Sequence, residues 1–96
     1  MSYAVQVLPE ATEETAAIYA YYEEASQGLG ERFLQALNDC YQHLALYPVG
    51  QKRKGDFRHA QLDTFPIRVV YEVRDELVLV YQVRHTKRRP SQRFGP

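Results

Sequence analysis

The spacing of apolar and polar positions changes several times along the chain, and each spacing predicts an element. Tyr3–Leu8 is rich in residues that favour strands, and Pro9 ends it and suits the first turn of a helix. From Glu10 to Ser26, and again from Leu29 to Tyr47, apolar residues recur every three or four positions. This period predicts two helices, and because the glycine-containing break between them is so short, they should form an antiparallel hairpin.

The second half of the chain has the two-residue period of strands. Val49–Asp56 is basic and polar and is predicted to be a loop, whereas Phe57–Leu62 is a weak strand. Phe65–Val73 and Leu77–Arg84 alternate clearly, and the three residues between them, 74–76, predict a tight hairpin.

The predicted fold class is α+β, in the order β-α-α-β-β-β, with one domain spanning residues 1–96. A helical hairpin must bury its apolar stripe, so it should pack on one face of a small, mostly antiparallel four-stranded sheet. The alternation predicts that Leu79 and Tyr81 face the helices. It places Arg68, Gln82 and Arg84 on the face that the helices leave open.

Charge is distributed unevenly although the net charge is zero. Residues 1–50 hold one basic residue against seven acidic ones, and residues 51–96 hold eleven against five. Such a separation suggests a basic face that meets an anionic partner, although acidic helices could also simply neutralise basic strands. The candidate binding residues, for phosphate groups or for an acidic peptide, are Arg58, Arg68, Arg84, His85, Lys87, Arg88 and Arg89.

Candidate chemistry beyond this set is sparse. His59 and His85 are expected near the basic region, where either could act as a general acid or base. One cysteine and three separated histidines give no metal-ligand pattern, and no glycine-rich phosphate loop is present, so no metal or other cofactor is expected. Tyr19, Tyr21 and Tyr22 are expected to pack in the core or between the helices, with partner binding as the alternative, and Cys40 is expected to be buried. No membrane span or signal peptide is recognisable, and a cytoplasmic location is the default expectation.

The later strands carry a resemblance to a known family. The segments FPIRVVY (65–71) and VRHTKRRP (83–90), following a short strand and a helical hairpin, are similar to the RelE/ParE toxins of bacterial type II toxin–antitoxin systems. The resemblance covers almost the whole chain. It implies a growth-inhibiting, plasmid-stabilisation-like toxin that is silenced by a cognate antitoxin.

The family resemblance leaves two targets open. RelE-like members are ribosome-dependent endoribonucleases that cut mRNA, whereas ParE-like members are described as inhibitors of DNA gyrase. In the nuclease interpretation the catalytic candidates are His59, Arg68, His85 and Arg88. Arg68 and Arg88 fit two arginine places of the nucleases, but His59 and Gln61 stand at the lysine places and Phe94 at the tyrosine place.

These departures favour the ParE-like branch. The competing hypotheses are a RelE-like ribonuclease and a non-toxic interaction module with a toxin fold. The sequence leaves the target, the antitoxin and the oligomeric state open.

Overall fold

The computed structural model describes residues 2–87, in which two helices cover one sheet. The strands and helices are β1 (Ala4–Val7), α1 (Pro9–Ala25), α2 (Leu29–Leu46), β2 (Gln51–Lys54), β3 (Phe57–Gln61), β4 (Ile67–Arg74) and β5 (Leu77–His85). The strand order is β1-β5-β4-β3-β2, with β1 parallel to β5 and the other pairs antiparallel. The predicted α+β class and the helical hairpin on a mostly antiparallel sheet are confirmed.

Strand β2 is an addition to the predicted sheet, because the basic and polar sequence of these residues predicts a loop. Its sequence, QKRK, has no apolar alternation, so nothing in it indicates a strand. It forms by backbone pairing with β3 across a turn in which Gly55 has a φ of 58°. Lysine on an edge strand discourages pairing with other molecules, so the basic composition suits this position at the end of the sheet.

The helical hairpin is held close at its turn. Gly28 has a φ of 86°, a conformation that glycine adopts without strain, and the Leu29 N–H donates to the Ser26 carbonyl across the turn. Gly30 is buried where α2 approaches α1, and its N–H donates to Glu23 Oε1 at 2.9 Å. The pair therefore presents a single apolar surface to the sheet.

The core lies between this hairpin and the sheet. It contains the following buried residues: Ala11, Phe33, Leu37, Leu44, Leu62, Ile67, Val69, Tyr71, Val78, Val80 and Val83. Tyr22, Phe33 and Phe65 join it through ring contacts with centroids 5.2–6.0 Å apart. Of the predicted tyrosine cluster, Tyr19 and Tyr22 pack against the core, whereas Tyr21 is 68% exposed.

A bulge in β5 reverses the predicted faces of the first half of that strand, while Val83 and Arg84 lie on the faces predicted for them. Val70 pairs with Gln82 but Tyr71 pairs with Val80, so Tyr81 is an extra residue between two registers. Val78 and Val80 therefore face the helices, and the prediction that Leu79 and Tyr81 do so is wrong.

Neither helix in the described residues combines the length and apolar character that a membrane crossing requires.

Candidate functional site

The face of the sheet that is turned away from the helices, here called the outer face, carries the predicted arginines of β4 and β5. Arg68 lies directly opposite Arg84 on the neighbouring strand, and Gln61 of β3 is opposite Arg68 on its other side. Residues that are directly opposite in antiparallel strands project from the same face. The three side chains thus form one polar row across the sheet.

The centre of the outer face is more buried than a solvated basic surface would be. His59, Glu72 and Arg84 are each only 8% exposed. Glu72 Oε1 pairs with Arg74 Nε at 2.6 Å and accepts the Tyr81 hydroxyl at 3.2 Å. The outer face is therefore a packed polar surface in which acidic and basic groups are mixed.

Two residues of the predicted basic surface, Arg58 and His85, lie on the face of the sheet that the helices cover. Arg58 is opposite Tyr71, a core residue, and its Nη1 donates to the Gly50 carbonyl at 2.7 Å. The Gly50 N–H in turn donates to the Tyr71 hydroxyl at 2.7 Å. Arg58 therefore holds the chain before β2 in place, and its expected position beside Arg68 and Arg84 is wrong.

His85 is also on the helix side of the sheet. It lies opposite Ile67, and both residues line a cavity against α1. Its Nδ1 accepts the backbone N–H of Lys87 at 3.1 Å. Because His59 is opposite Val70 on the outer face, the two histidines that were predicted to share the basic region lie on opposite faces of the sheet.

Of the remaining predicted residues, the structure describes only Lys87. Lys87 is exposed in the turn after β5. Arg88 and Arg89, together with Phe94, lie outside the described residues. Within residues 2–87, no group of three or more His, Cys, Asp or Glu side chains is arranged to hold a metal ion.

Cys40 lines a polar groove between α2 and the segment around Leu62. Burial, with a smaller contribution from the Asp63 carboxylate, raises the pKa of its thiol to about 11. A thiol with so high a pKa is almost fully protonated at neutral pH and is a poor nucleophile. The expectation that Cys40 is buried is met only in part, because the residue is half-buried.

Two glutamates of α1 contact β5, and the sequence does not predict these contacts. The backbone N–H of Val83 donates to the carboxylate of Glu14 on α1 at 2.9 Å, and Gln82 Nε2 donates to Glu10 Oε1 at 3.3 Å. Glutamates in the first turns of a helix are expected from the helix dipole alone, so their contact with a strand edge carries no sequence signal.

The chain is similar to one family of known proteins, both in sequence and in fold. Residues 5–90 match the family model described as ParE toxin of type II toxin–antitoxin system, parDE. A solved structure described as the chromosomal ParDE TA system from P. aeruginosa is similar in fold, with a TM-score of 0.79 and 13% sequence identity. The similarity covers 88% of this chain and 96% of that one. No curated protein sequence matches the chain.

Proposed function

Because the chain belongs to the ParE toxin family of type II toxin–antitoxin systems, we propose that it inhibits bacterial growth through DNA gyrase. In this proposal a cognate antitoxin neutralises the toxin, as in plasmid-stabilisation systems. The toxin meets both the antitoxin and DNA gyrase in the cytoplasm. It acts by binding and requires no cofactor. The observation that carries the choice of gyrase over RNA cleavage is the position of the two histidines on opposite faces of the sheet.

RNA cleavage through the 2′-hydroxyl needs one group to remove a proton and another to protonate the leaving oxygen, both at one phosphate. His59 is on the outer face with Arg68, whereas His85 is on the helix side. A strand directs alternate side chains to opposite faces. The two histidines are therefore not placed to act together as the acid and the base at one phosphate, which supports a binding mechanism.

The RelE-like ribonuclease remains the second candidate because Arg68 and Arg84 are neighbours on one face. Two guanidinium groups side by side suit a phosphate. Arg84, however, is only 8% exposed, so it would have to move before it could reach a substrate. A third candidate, an interaction module without toxicity, differs from both because it would leave cell growth unchanged.

The experiment combines two purified assays with one cellular assay. The protein is added to a DNA gyrase supercoiling reaction and, separately, to ribosomes programmed with mRNA. We expect supercoiling to be inhibited and the mRNA to remain intact. In cells that express the protein without an antitoxin, DNA synthesis should fall before protein synthesis.

Arg68→Ala separates the two toxin mechanisms, with Arg32→Ala on the exposed part of α2 as the matched control. A nuclease should lose roughly 10²–10³ in cleavage rate when one transition-state cation is removed, by analogy with the loss of an oxyanion-hole donor. Cleavage of ribosome-bound mRNA that is lost in Arg68→Ala and retained in Arg32→Ala would refute the gyrase proposal.

A further inference from the structure

Large apolar side chains are exposed together where α2 ends and the chain turns toward β2. Of the four large hydrophobic residues that are exposed in the described part of the chain, three lie in this short stretch: Leu46 (56% exposed), Tyr47 (61%) and Val49 (77%). Pro48, which lies among them, is buried. We call Leu46, Tyr47 and Val49 the apolar ridge. Exposed apolar side chains that cluster in this way commonly mark a surface that binds another protein.

The end of the apolar ridge is fixed by Gly50. Its N–H donates to the Tyr71 hydroxyl and its carbonyl accepts Arg58 Nη1, each at 2.7 Å. A Cβ atom at this position would overlap the Tyr71 hydroxyl and lie 2.9 Å from the His59 carbonyl oxygen, so the backbone of Gly50 lies directly against the sheet. The buried Pro48 restricts the segment further, because its ring fixes φ.

The start of the apolar ridge is fixed by the last turn of α2. The Tyr47 N–H donates to the His43 carbonyl at 2.8 Å, and the rings of these two residues have centroids 5.6 Å apart. The Ala45 carbonyl accepts the Tyr3 N–H at 2.6 Å, which ties this turn to the chain before β1. An apolar segment that is ordered before it binds loses little conformational freedom on binding, so it suits the centre of an interface.

Basic residues follow the apolar ridge directly along the chain. Residues 51–58 contain four basic residues, Lys52, Arg53, Lys54 and Arg58, against one acidic residue, Asp56. Lys52 lies opposite Arg58 in the β2–β3 pair, so both side chains project from the helix side of the sheet. The ion pair of Lys52 with Asp56 is exposed and 3.6 Å long, and such pairs are weak. A partner that covers the ridge therefore meets a net positive charge beside it.

We propose that the apolar ridge, with the basic strand β2 beside it, is the surface through which the toxin docks on its protein target. The partner that fits these residues offers an apolar recess for Tyr47 and Val49, and the recess is bordered by carboxylates that attract Lys52. Tyrosine is favoured as an interface anchor because its large ring has few rotatable bonds to order. DNA phosphates match this surface less well, because the aliphatic side chains of Leu46 and Val49 offer them no hydrogen bond. The inference rests on the proposed function, in which this partner is DNA gyrase.

The first test removes the aromatic anchor and measures inhibition of supercoiling by purified DNA gyrase. Tyr47→Ala is compared with Tyr21→Ala, which removes a tyrosine of similar exposure (68%) from α1. Tyr47→Ala should raise the concentration for half-maximal inhibition by about tenfold or more, and Tyr21→Ala should change it by less than about twofold. Urea unfolding checks that both variants retain the fold. Equal effects of the two substitutions on inhibition would overturn the inference.

The second test reads the charge of the partner at one position of the ridge. Val49 is 77% exposed, so a charged residue can replace it without being buried in the toxin. Val49→Asp places a carboxylate against an acidic partner, whereas Val49→Lys places a cation there. Val49→Asp should inhibit gyrase about tenfold less well than Val49→Lys, and the difference should shrink as the salt concentration rises. Equal inhibition by the two variants, or weaker inhibition by Val49→Lys, would contradict the proposed chemistry of the partner.

Direct binding measurements separate the other possible occupants of the ridge. The toxin should bind gyrase in the absence of DNA, and Tyr47→Ala should weaken this binding. A strict requirement for DNA would assign the ridge to nucleic acid. Equal weakening of antitoxin binding, with the antitoxin identified by its ability to restore growth, would assign the ridge to the antitoxin. A toxin dimer that Tyr47→Ala abolishes would assign it to a second copy. Each of these three results would overturn the inference.

Failure of the proposed function has a different signature. If the wild-type protein inhibits neither gyrase nor growth, both proposals fall together. If the wild-type protein inhibits gyrase and Tyr47→Ala inhibits it equally well, the gyrase assignment survives and only the docking surface is wrong.

Discussion

Gly30→Ala should destabilise the protein, although alanine normally favours a helix over glycine. Gly30 is in the first turn of α2 and is buried against α1. A Cβ atom at this position would lie 2.6 Å from Glu23 Cγ, 2.8 Å from the Tyr19 carbonyl oxygen and 2.9 Å from Tyr19 Cδ2. The Glu23 side chain can move aside, but the Tyr19 carbonyl belongs to the backbone of α1.

The magnitude follows from two opposing contributions to the free energy of unfolding. Replacing glycine by alanine within a helix gains about 1 kcal/mol. Moving the Cβ from 2.8 Å to an ordinary contact of 3.4 Å requires the helices to separate by about 0.6 Å at their closest point. Overpacking of this kind costs about 1–3 kcal/mol. Separation also weakens the hydrogen bond from the Gly30 N–H to Glu23, which can add about 1 kcal/mol. The net destabilisation should therefore be about 1–3 kcal/mol.

Urea unfolding followed by circular dichroism measures this difference. In thermal unfolding each kcal/mol should lower Tm by about 4–8 °C for a domain of this size. The same substitution in a Glu23→Ala background removes the nearest side-chain atom but leaves the Tyr19 carbonyl, so a destabilisation should persist there. If Gly30→Ala raises the stability in both backgrounds, the helices are not in the close contact that this reasoning requires.

Three further predictions concern Tyr71 and Cys40. Tyr71→Phe should lower the free energy of unfolding by about 1–3 kcal/mol, because the Gly50 N–H loses its acceptor while Arg58 still holds the Gly50 carbonyl. Denaturant unfolding measures this change, and an unchanged midpoint would contradict the prediction. At pH 8 iodoacetamide should alkylate Cys40 about 100-fold more slowly than a model thiol, since a pKa of about 11 in place of 9.0 reduces the thiolate fraction by that factor. In urea the rate should recover, and a fast reaction in the folded protein would refute the assigned burial. Because the raised pKa favours the protonated thiol in the folded state, the stability that Cys40 contributes should be fully present below pH 9.0 and be lost as the pH rises toward 11.

The sequence by itself determined the helical hairpin and the β4–β5 pair. Their apolar periods are long and uninterrupted, and Pro9 and Gly28 mark the start of one helix and the turn between the two. For α1, α2 and β4 a local pattern of this kind is sufficient, because it also states which side of the element must be buried. The motif around residues 65–71 and 83–90 was also enough to indicate the toxin family that the family model then matched.

The tertiary structure alone decided the existence of β2, because its polar residues carry no period and form a strand only by pairing with β3. It also decided the faces of β5. A single extra residue at Tyr81 reverses the side to which Val78 and Val80 point, and a bulge is set by the partner strand rather than by the local pattern.

The candidate site depended on the same long-range geometry. The basic residues could be named from the sequence, but the pairing of strands placed Arg58 and His85 with the core and left Arg68 and Arg84 on the outer face. The contact between Glu14 and Val83 spans 69 positions of the chain. Composition and periodicity describe one element at a time, so only the packing of α1 across the end of β5 could bring the Glu14 carboxylate to the Val83 N–H.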